Sequence, residues 1–254
     1  MLLVGCSPNA SNLFQGYIEG EYVHVASPLG GALTNLAVAR GDEVKTGQLL
    51  FELERGSEVA ALDVAKKNLA QAKASLELSE STYIRRKQLR DGSAEVISAE
   101  ELDQARAQRD TDTASVESQQ AALDKAKWSF DQKQQFAPTN AFVQDTLYRQ
   151  GEWVAAGNPV VVLLPPENLK ARFFVPEEML PRIKAGESVS VTFDGATTNY
   201  SATVNYISKQ AEFTPPVLYN RENRAKLVYM IEAKFSPADA AQLRPGQPVD
   251  VKLQ

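Results

Sequence analysis

Between Gly56 and Gln134 the chain runs almost eighty residues without a proline, and its apolar positions there repeat every seven residues. Leu62, Leu69, Leu76 and Tyr83 form one series, and Leu102, Arg109, Val116, Leu123 and Phe130 a second, the spacing that keeps one seam of a helix turned toward a partner. Asp91-Gly92-Ser93 separates the two series, and Gly92 is expected to close the first helix in a left-handed conformation. Ser98-Ala99-Glu100-Glu101 then opens the second as a capping box, with Ser98 as N-cap and Glu101 three residues on. Across an antiparallel hairpin, residues at one height have numbers with a constant sum. Leu62 with Phe130, Leu69 with Leu123, Leu76 with Val116 and Tyr83 with Arg109 each sum to 192, which puts the fold-back near residue 96. Arg109 is the one charged member, and its stem is expected to lie along the Tyr83 ring. Arms of about 36 residues at ~1.5 Å each project roughly 54 Å, too far to be packed within a small domain. Ala65, Ala72, Ala105 and Ala126 thin the seam, as suits two helices with little else around them. Taken alone, such a hairpin reads as an intramolecular spacer as readily as a binding arm.

The flanks have a different rhythm. Tyr17 to Leu53 alternates apolar and polar residues in short runs broken by Pro28, Gly30-Gly31, Gly41-Asp42 and Gly47, which predicts a compact antiparallel β-module. The pattern returns 110 residues later, where Pro28 falls on Pro138, Leu33 on Val143 and Leu53 on Leu163. Its kernel is Gly-acid-x-Val-x-x-Gly, Gly41 to Gly47 in the first copy and Gly151 to Gly157 in the second. The glycines supply turn conformations that other residues resist, and Val44 and Val154 between them are expected to point inward.

After Pro165-Pro166 the chain reads as a strand, then a helix of about two turns from Pro176-Glu177-Glu178 to Lys184-Ala185-Gly186, then strands. Val189, Val191 and Phe193 alternate before a turn at Asp194-Gly195. Ala202 to Ile207 and Leu227 to Phe235 are further strands, joined by a polar loop through Pro215-Pro216. The chain closes on Leu243-Arg244-Pro245-Gly246 and a last strand through Val249 and Val251.

Composition narrows the chemistry. The 254 residues are 43% hydrophobic and 23% charged, enough to bury a real core, and mean hydropathy is −0.30. No apolar run nears the roughly 18 residues that span a membrane, so a soluble chain of several modules is expected. The net charge is −5, and the basic cluster Arg85-Arg86-Lys87 with Arg90 sits on a helix near the hairpin tip, which argues against nucleic acid as a partner. One cysteine and one histidine, His24, leave neither an internal disulfide nor an imidazole pair for a metal. Glu177-Glu178 are paired acids, but in the first turn of a helix they serve its dipole. No catalytic, cofactor-binding or metal-ligating set emerges, and the chain is not expected to be an enzyme.

At the N-terminus, Leu3-Val4-Gly5-Cys6 resembles a bacterial lipobox, whose cysteine is acylated, and Ser7 to Asn12 has linker composition. Five residues before Cys6 are fewer than the roughly 7 to 15 of an apolar signal core.

The repeated Gly-acid-x-Val-x-x-Gly module is similar to the biotinyl/lipoyl domain, a flattened barrel of two quasi-equivalent halves. No modifiable lysine tripeptide stands at the joint. The helical hairpin occupies it instead. A split lipoyl-like module with a coiled-coil hairpin between its halves resembles the HlyD-family periplasmic adaptor, or membrane-fusion, proteins over nearly the whole chain. The resemblance implies an α+β fold, mostly β: an N-terminal lipobox and linker at 1–15, a split lipoyl-like (barrel-sandwich) domain at 16–55 and 136–165, the hairpin at 56–135, and a C-terminal β-barrel domain at 166–254. It further implies a periplasmic protein held at the inner membrane, through lipidated Cys6, that links an inner-membrane transporter to an outer-membrane TolC-type channel as a hexameric ring. Ending as the barrel ends is a habit of members that serve ABC-type exporters. The family's channel-docking motif is an arginine, a leucine four later and a serine seven after that. Arg85 and Leu89 fit its first two places, and Ser98, nine after Leu89, stands in the third with two extra turn residues. An acyl carrier is disfavoured by the missing lysine. A coiled-coil scaffold, or an adaptor with no TolC-type partner, stays open.

Overall fold

A computed structural model describes residues 13–93, 96–195, 198–213 and 227–253. Cys6 with its lipobox, and the loop through Pro215-Pro216, lie outside them. In chain order the elements are β1 (Leu13–Gly20), β2 (Val23–Ala26), β3 (Gly31–Leu36), β4 (Glu43–Val44), β5 (Leu49–Leu53), α1 (Gly56–Gly92), α2 (Ala99–Asp131), β6 (Gln134–Phe136), β7 (Ala141–Thr146), β8 (Trp153–Val154) and β9 (Pro159–Leu164). They continue with β10 (Leu169–Pro176), β11 (Ser188–Thr192), β12 (Tyr200–Phe213), β13 (Leu227–Phe235), α3 (Pro237–Ala240) and β14 (Pro248–Leu253).

The repeat folds as one body. Two four-stranded sheets have the orders β2-β9-β7-β4 and β6-β5-β3-β8, so each half gives two strands to each sheet, and exchanging the halves turns one order into the other. Reciprocal backbone bonds tie the halves at the kernel: Gly41 N–H donates to Val143 O (2.9 Å) and Gly151 N–H to Leu33 O (2.8 Å). Gly41 and Gly151 have φ of 95° and 93°, the left-handed region the turn requires. The acid that follows has a defined task, since Asp42 Oδ2 accepts from Ala39 N–H at 2.8 Å and Glu152 Oε2 from Arg149 N–H at 2.9 Å. Val44 and Val154 point inward with Leu33, Leu50, Phe51 and Leu163.

The closed barrel has the order β1-β10-β13-β12-β11-β14. Its first strand corrects the sequence boundary. Leu13–Gly20, whose last five residues were expected in the first half-module, pairs antiparallel with β10 and β14, and Phe14 and Ile18 enter the barrel core beside Phe173, Val189 and Val251. Alternation predicts a strand but not which sheet receives it, and a closed barrel needs a strand between β10 and β14. The stretch after Pro176 is a second correction. It is a 3-10 helix at Glu177–Arg182 rather than a longer α-helix, because Pro181 inside it has no N–H to extend the ladder.

Helices α1 and α2, 37 and 33 residues long, form the antiparallel hairpin, entered from β5 and left into β6. Buried Ala65, Leu69, Ala72 and Ser79 on α1 and Ala105 on α2 mark the seam, at heptad a and d spacing. The Arg109 guanidinium lies 4.4 Å from the Tyr83 ring centre, as the register requires, and is held from the other side by Asp110 at 2.5 Å. Gly92 does not close α1 in a left-handed conformation. It stays within the helix, and Ser93 in extended conformation caps it, donating its N–H to Leu89 O at 3.0 Å. A residue able to adopt positive φ is not compelled to when an extended residue can end the ladder.

Candidate functional site

Arg85 and Leu89, four residues apart, occupy the last two turns of α1 on its exposed surface, with Leu89 47% exposed. Exposed Val96 lies across the turn. Arg86 and Arg90, in contrast, fold inward to close the tip: Arg86 Nη1 donates to Glu101 O at 2.9 Å and Arg90 Nη1 to Ile97 O at 3.5 Å. Of the basic cluster, then, two members staple the turn. Ser98 is engaged by the capping box. Its Oγ accepts from Glu101 N–H at 3.2 Å and donates to Glu101 Oε2 at 2.9 Å, and its N–H donates to the same carboxylate at 2.9 Å. Those bonds, from the Ser98 backbone N–H first, hold the Glu101 carboxyl below its ordinary pKa. The hairpin thus brings Arg85 and Leu89 together as an exposed pair, while Ser98 is committed to starting α2.

The other end of the rod carries a site the sequence reading missed. Lys133, 5% exposed, donates Nζ to Gly30 O at 2.7 Å and pairs with Glu58 at 3.2 Å. Burial works against the charged form of Glu58, but bonds from Ser57, its own backbone N–H and Lys133 outweigh it and lower its pKa. Ser27 Oγ donates to Gln132 O at 2.8 Å, and Leu53 N–H to Lys133 O at 2.8 Å. Arg55, paired with Glu52 at 3.4 Å, covers the Phe130 ring at 4.8 Å. Both helices, the residues that follow α2 and the first half-module therefore meet where the rod leaves the body. The available signal was a lysine between two glutamines just past the last seam residue.

The barrel's outer face carries a second charged set. Side chains alternate along β10, so with Leu169, Ala171 and Phe173 inside, Lys170 and Arg172 point outward. Lys170 meets Glu21 (2.5 Å) and Glu232 (2.8 Å), and Arg172 meets Glu19 (2.6 Å) and Glu232 (2.9 Å). Glu232 stands directly across from Arg172, while Glu19, across from Lys170 at 3.8 Å, pairs more closely with Arg172 on the diagonal, so direct and diagonal neighbours together knit the set. The set clamps β1 and β13 to β10. Among the described residues no group of His, Cys, Asp and Glu is arranged to hold a metal, and no helix is long and apolar enough to cross a membrane.

Residues 61–133 match the α-helical hairpin domain of RND membrane-fusion proteins. The chain is 27% identical to a UPF0194 membrane protein of Enterobacter sp. (strain 638) and to the UPF0194 membrane protein YbhG of Salmonella gallinarum, in each case over 94% of this chain and 87% of the relative. Its fold is that of MacA from Actinobacillus actinomycetemcomitans (TM-score 0.73, 18% identity, 95% of this chain and 78% of that one). It is also that of the membrane fusion protein Spr0693 from Streptococcus pneumoniae R6 (TM-score 0.68, 20% identity, 95% and 98%). Along its hairpin the chain is similar in sequence to membrane-fusion proteins, and over nearly its whole length it shares the fold of these two structures.

Proposed function

We propose that this chain is the periplasmic adaptor subunit of a tripartite exporter of the HlyD type. In this reading the β-bodies assemble as a ring, a hexamer, around an inner-membrane transporter of the ABC type expected from the sequence. The hairpin tip, through Arg85 and Leu89 with Ser98 at the turn, docks a TolC-type outer-membrane channel, and Cys6 is the lipid anchor at the inner membrane. The domain limits read from the sequence are part of the proposal, with 13–20 moved to the barrel.

The observation that carries it is the rod itself. A hairpin of about 55 Å by helix rise leaves a body that grips it with a buried lysine, and its far end exposes an arginine and a leucine that make no side-chain hydrogen bond or ion pair among the described residues. A spacer within one molecule needs neither the grip nor the bare end. No bond is made or broken in the mechanism. The rod holds two membrane partners at a fixed separation, and the β-bodies follow the transporter's cycle.

Affinity purification of the membrane-extracted protein tests this reading. Co-isolation of an inner-membrane transporter is expected, its identity reporting ATP-driven or proton-driven class, and a clean soluble monomer would overturn the proposal. Leu89→Asp is expected to abolish export and channel pull-down while leaving the helical circular dichroism unchanged. Undiminished export would remove the docking site from Leu89 and favour an adaptor with a different outer partner, to which the two extra turn residues already point. Intact mass of the membrane-extracted protein reports acyl chains on Cys6.

A further inference from the structure

A cleft of about 540 Å³ lies between the body formed by the two half-modules and the barrel. Its body wall follows from alternation along β7: with Ala141 and Val143 packed in the module core, Phe142 points outward beside Leu164, its partner in the β7–β9 ladder. The barrel wall is the turn Leu243-Arg244-Pro245, just past α3. Leu164 and Leu243 are each 5% exposed, and Leu164 and Pro245 close over Gly20 so tightly that a Cβ there would stand 2.8 and 3.2 Å from them. Two exposed arginines line the cleft, Arg40 from the body and Arg244 from the barrel. No carboxylate lines it, and among the described residues neither arginine makes a side-chain hydrogen bond or an ion pair. In a chain of net charge −5, the cleft is a local excess of positive charge over an apolar floor.

The internal repeat supplies a control. Across the 110-residue shift Arg40 falls on Gln150, Phe142 on Ala32 and Leu164 on Glu54. Gln150 Nε2 donates to Thr34 O at 2.7 Å, so in the second half the residue before the kernel glycine is tied to the strand opposite. Arg40 makes no such bond, and the pair beside it is aromatic and aliphatic where the other half has a small residue and an acid. Packing against the barrel accounts for Phe142 and Leu164. It does not account for the guanidinium groups, since a contact between two parts of one chain gains nothing from two like charges without a partner.

We propose that this cleft binds a small amphiphilic anion, its carboxylate, sulfonate or phosphate held by Arg40 and Arg244 and its apolar portion lying on Phe142, Leu164 and Leu243. Guanidinium groups match such oxyanions with two parallel hydrogen bonds, and the volume falls in the range of about 300 to 1,000 Å³ common to small-ligand sites. The ligand touches both walls, so its binding ties barrel to body. The site goes beyond the adaptor reading and stands whether or not that reading holds.

Isothermal titration with laurate tests the proposal, using the full chain with Cys6→Ser to keep acyl chains and detergent out of the sample. Laurate is expected to bind one to one and to raise the thermal transition. Dodecyltrimethylammonium, with the same tail and the opposite charge, and acetate, a head without a tail, are each expected to bind about ten-fold more weakly or worse. Arg40→Gln and Arg244→Gln should each weaken laurate by about ten-fold or more and Phe142→Ala by a similar factor, whereas Arg149→Gln, on the corresponding turn of the second half, should leave it unchanged. Circular dichroism of the variants verifies the fold. Laurate affinity that survives both arginine substitutions, or that the ammonium equals, overturns the proposal. Sedimentation with phosphatidylglycerol vesicles separates a free amphiphile from a membrane lipid: vesicle binding that depends on Arg40 and Arg244, with no laurate bound in solution, assigns the arginines to a membrane surface and overturns the cleft as a site. The assay contains no transporter, so its failure leaves the adaptor reading intact.

Discussion

Among the described residues, the 70 positions of α1 and α2 bury five side chains, whereas the barrel cluster alone buries nineteen apolar ones. The rod and the body are stabilised at different scales. Each height of the rod depends on one seam residue from each helix, so damage there stays local. In the barrel every core residue touches several strands, and a loss is felt by the whole body. A long reach is compatible with a thin seam only if the rod's base is fixed, which is the role of Lys133 and its partners.

Substitutions on the two sides of this contrast are expected to differ in reach as much as in size. Phe173→Ala, at a fully buried site, should cost the body about 3–5 kcal/mol and lower its single thermal transition. Lys133→Met should cost about 3 kcal/mol, because Glu58 is left half-buried without a cation and Gly30 O without a donor. Limited proteolysis at the root should accelerate in that variant, and adding Glu58→Gln should recover part of the loss. A root that stays resistant would remove the distinction between a fixed base and a free rod. Leu69→Ala, in the seam, should cost about 2 kcal/mol and appear as lost helicity while the body's transition stays in place. If the two moved together, rod and body would be one cooperative unit.

The smallest effect at neutral pH concerns the barrel clamp. Burial opposes the charge on Glu232, but hydrogen bonds from Lys170 and Arg172 outweigh it and hold the carboxyl below its ordinary 4.5. Its contribution is therefore complete above about pH 4.5 and is lost as the pH falls through the lowered folded-state value. Acid titration should loosen the barrel before the hairpin seam, and Glu232→Gln should flatten that part of the profile. Lys170, raised despite its burial by its bonds to Glu21 and Glu232, contributes from the acid side up to its ordinary 10.5 and loses its contribution only in more alkaline solution.

Periodicity made the rod legible, including the Tyr83–Arg109 contact, since a seven-residue repeat on both helices leaves one register for the hairpin. The Gly-acid-x-Val-x-x-Gly kernel was legible for a similar reason: a turn needing positive φ and an acid to cap it leave few residue choices. Gly92 and the helix at Pro176 misled because several backbone solutions serve equally well at a helix end. At the tip, Arg85 and Leu89 could be located from spacing, but the full commitment of Ser98 to Glu101 emerged from the bond geometry.

What the sequence by itself determined were the features set by neighbours along the chain: the two helices and their register, and the repeated turns. Which sheet each strand joined was decided in three dimensions. The transfer of Leu13–Gly20 to the barrel, the interleaving of the half-modules, the Lys133 root and the Lys170–Glu232–Arg172 clamp all join residues 60 or more positions apart. Alternation fixes which face of a strand is apolar and says nothing of the strand beside it, so those contacts are settled only when the barrel closes and the two halves meet.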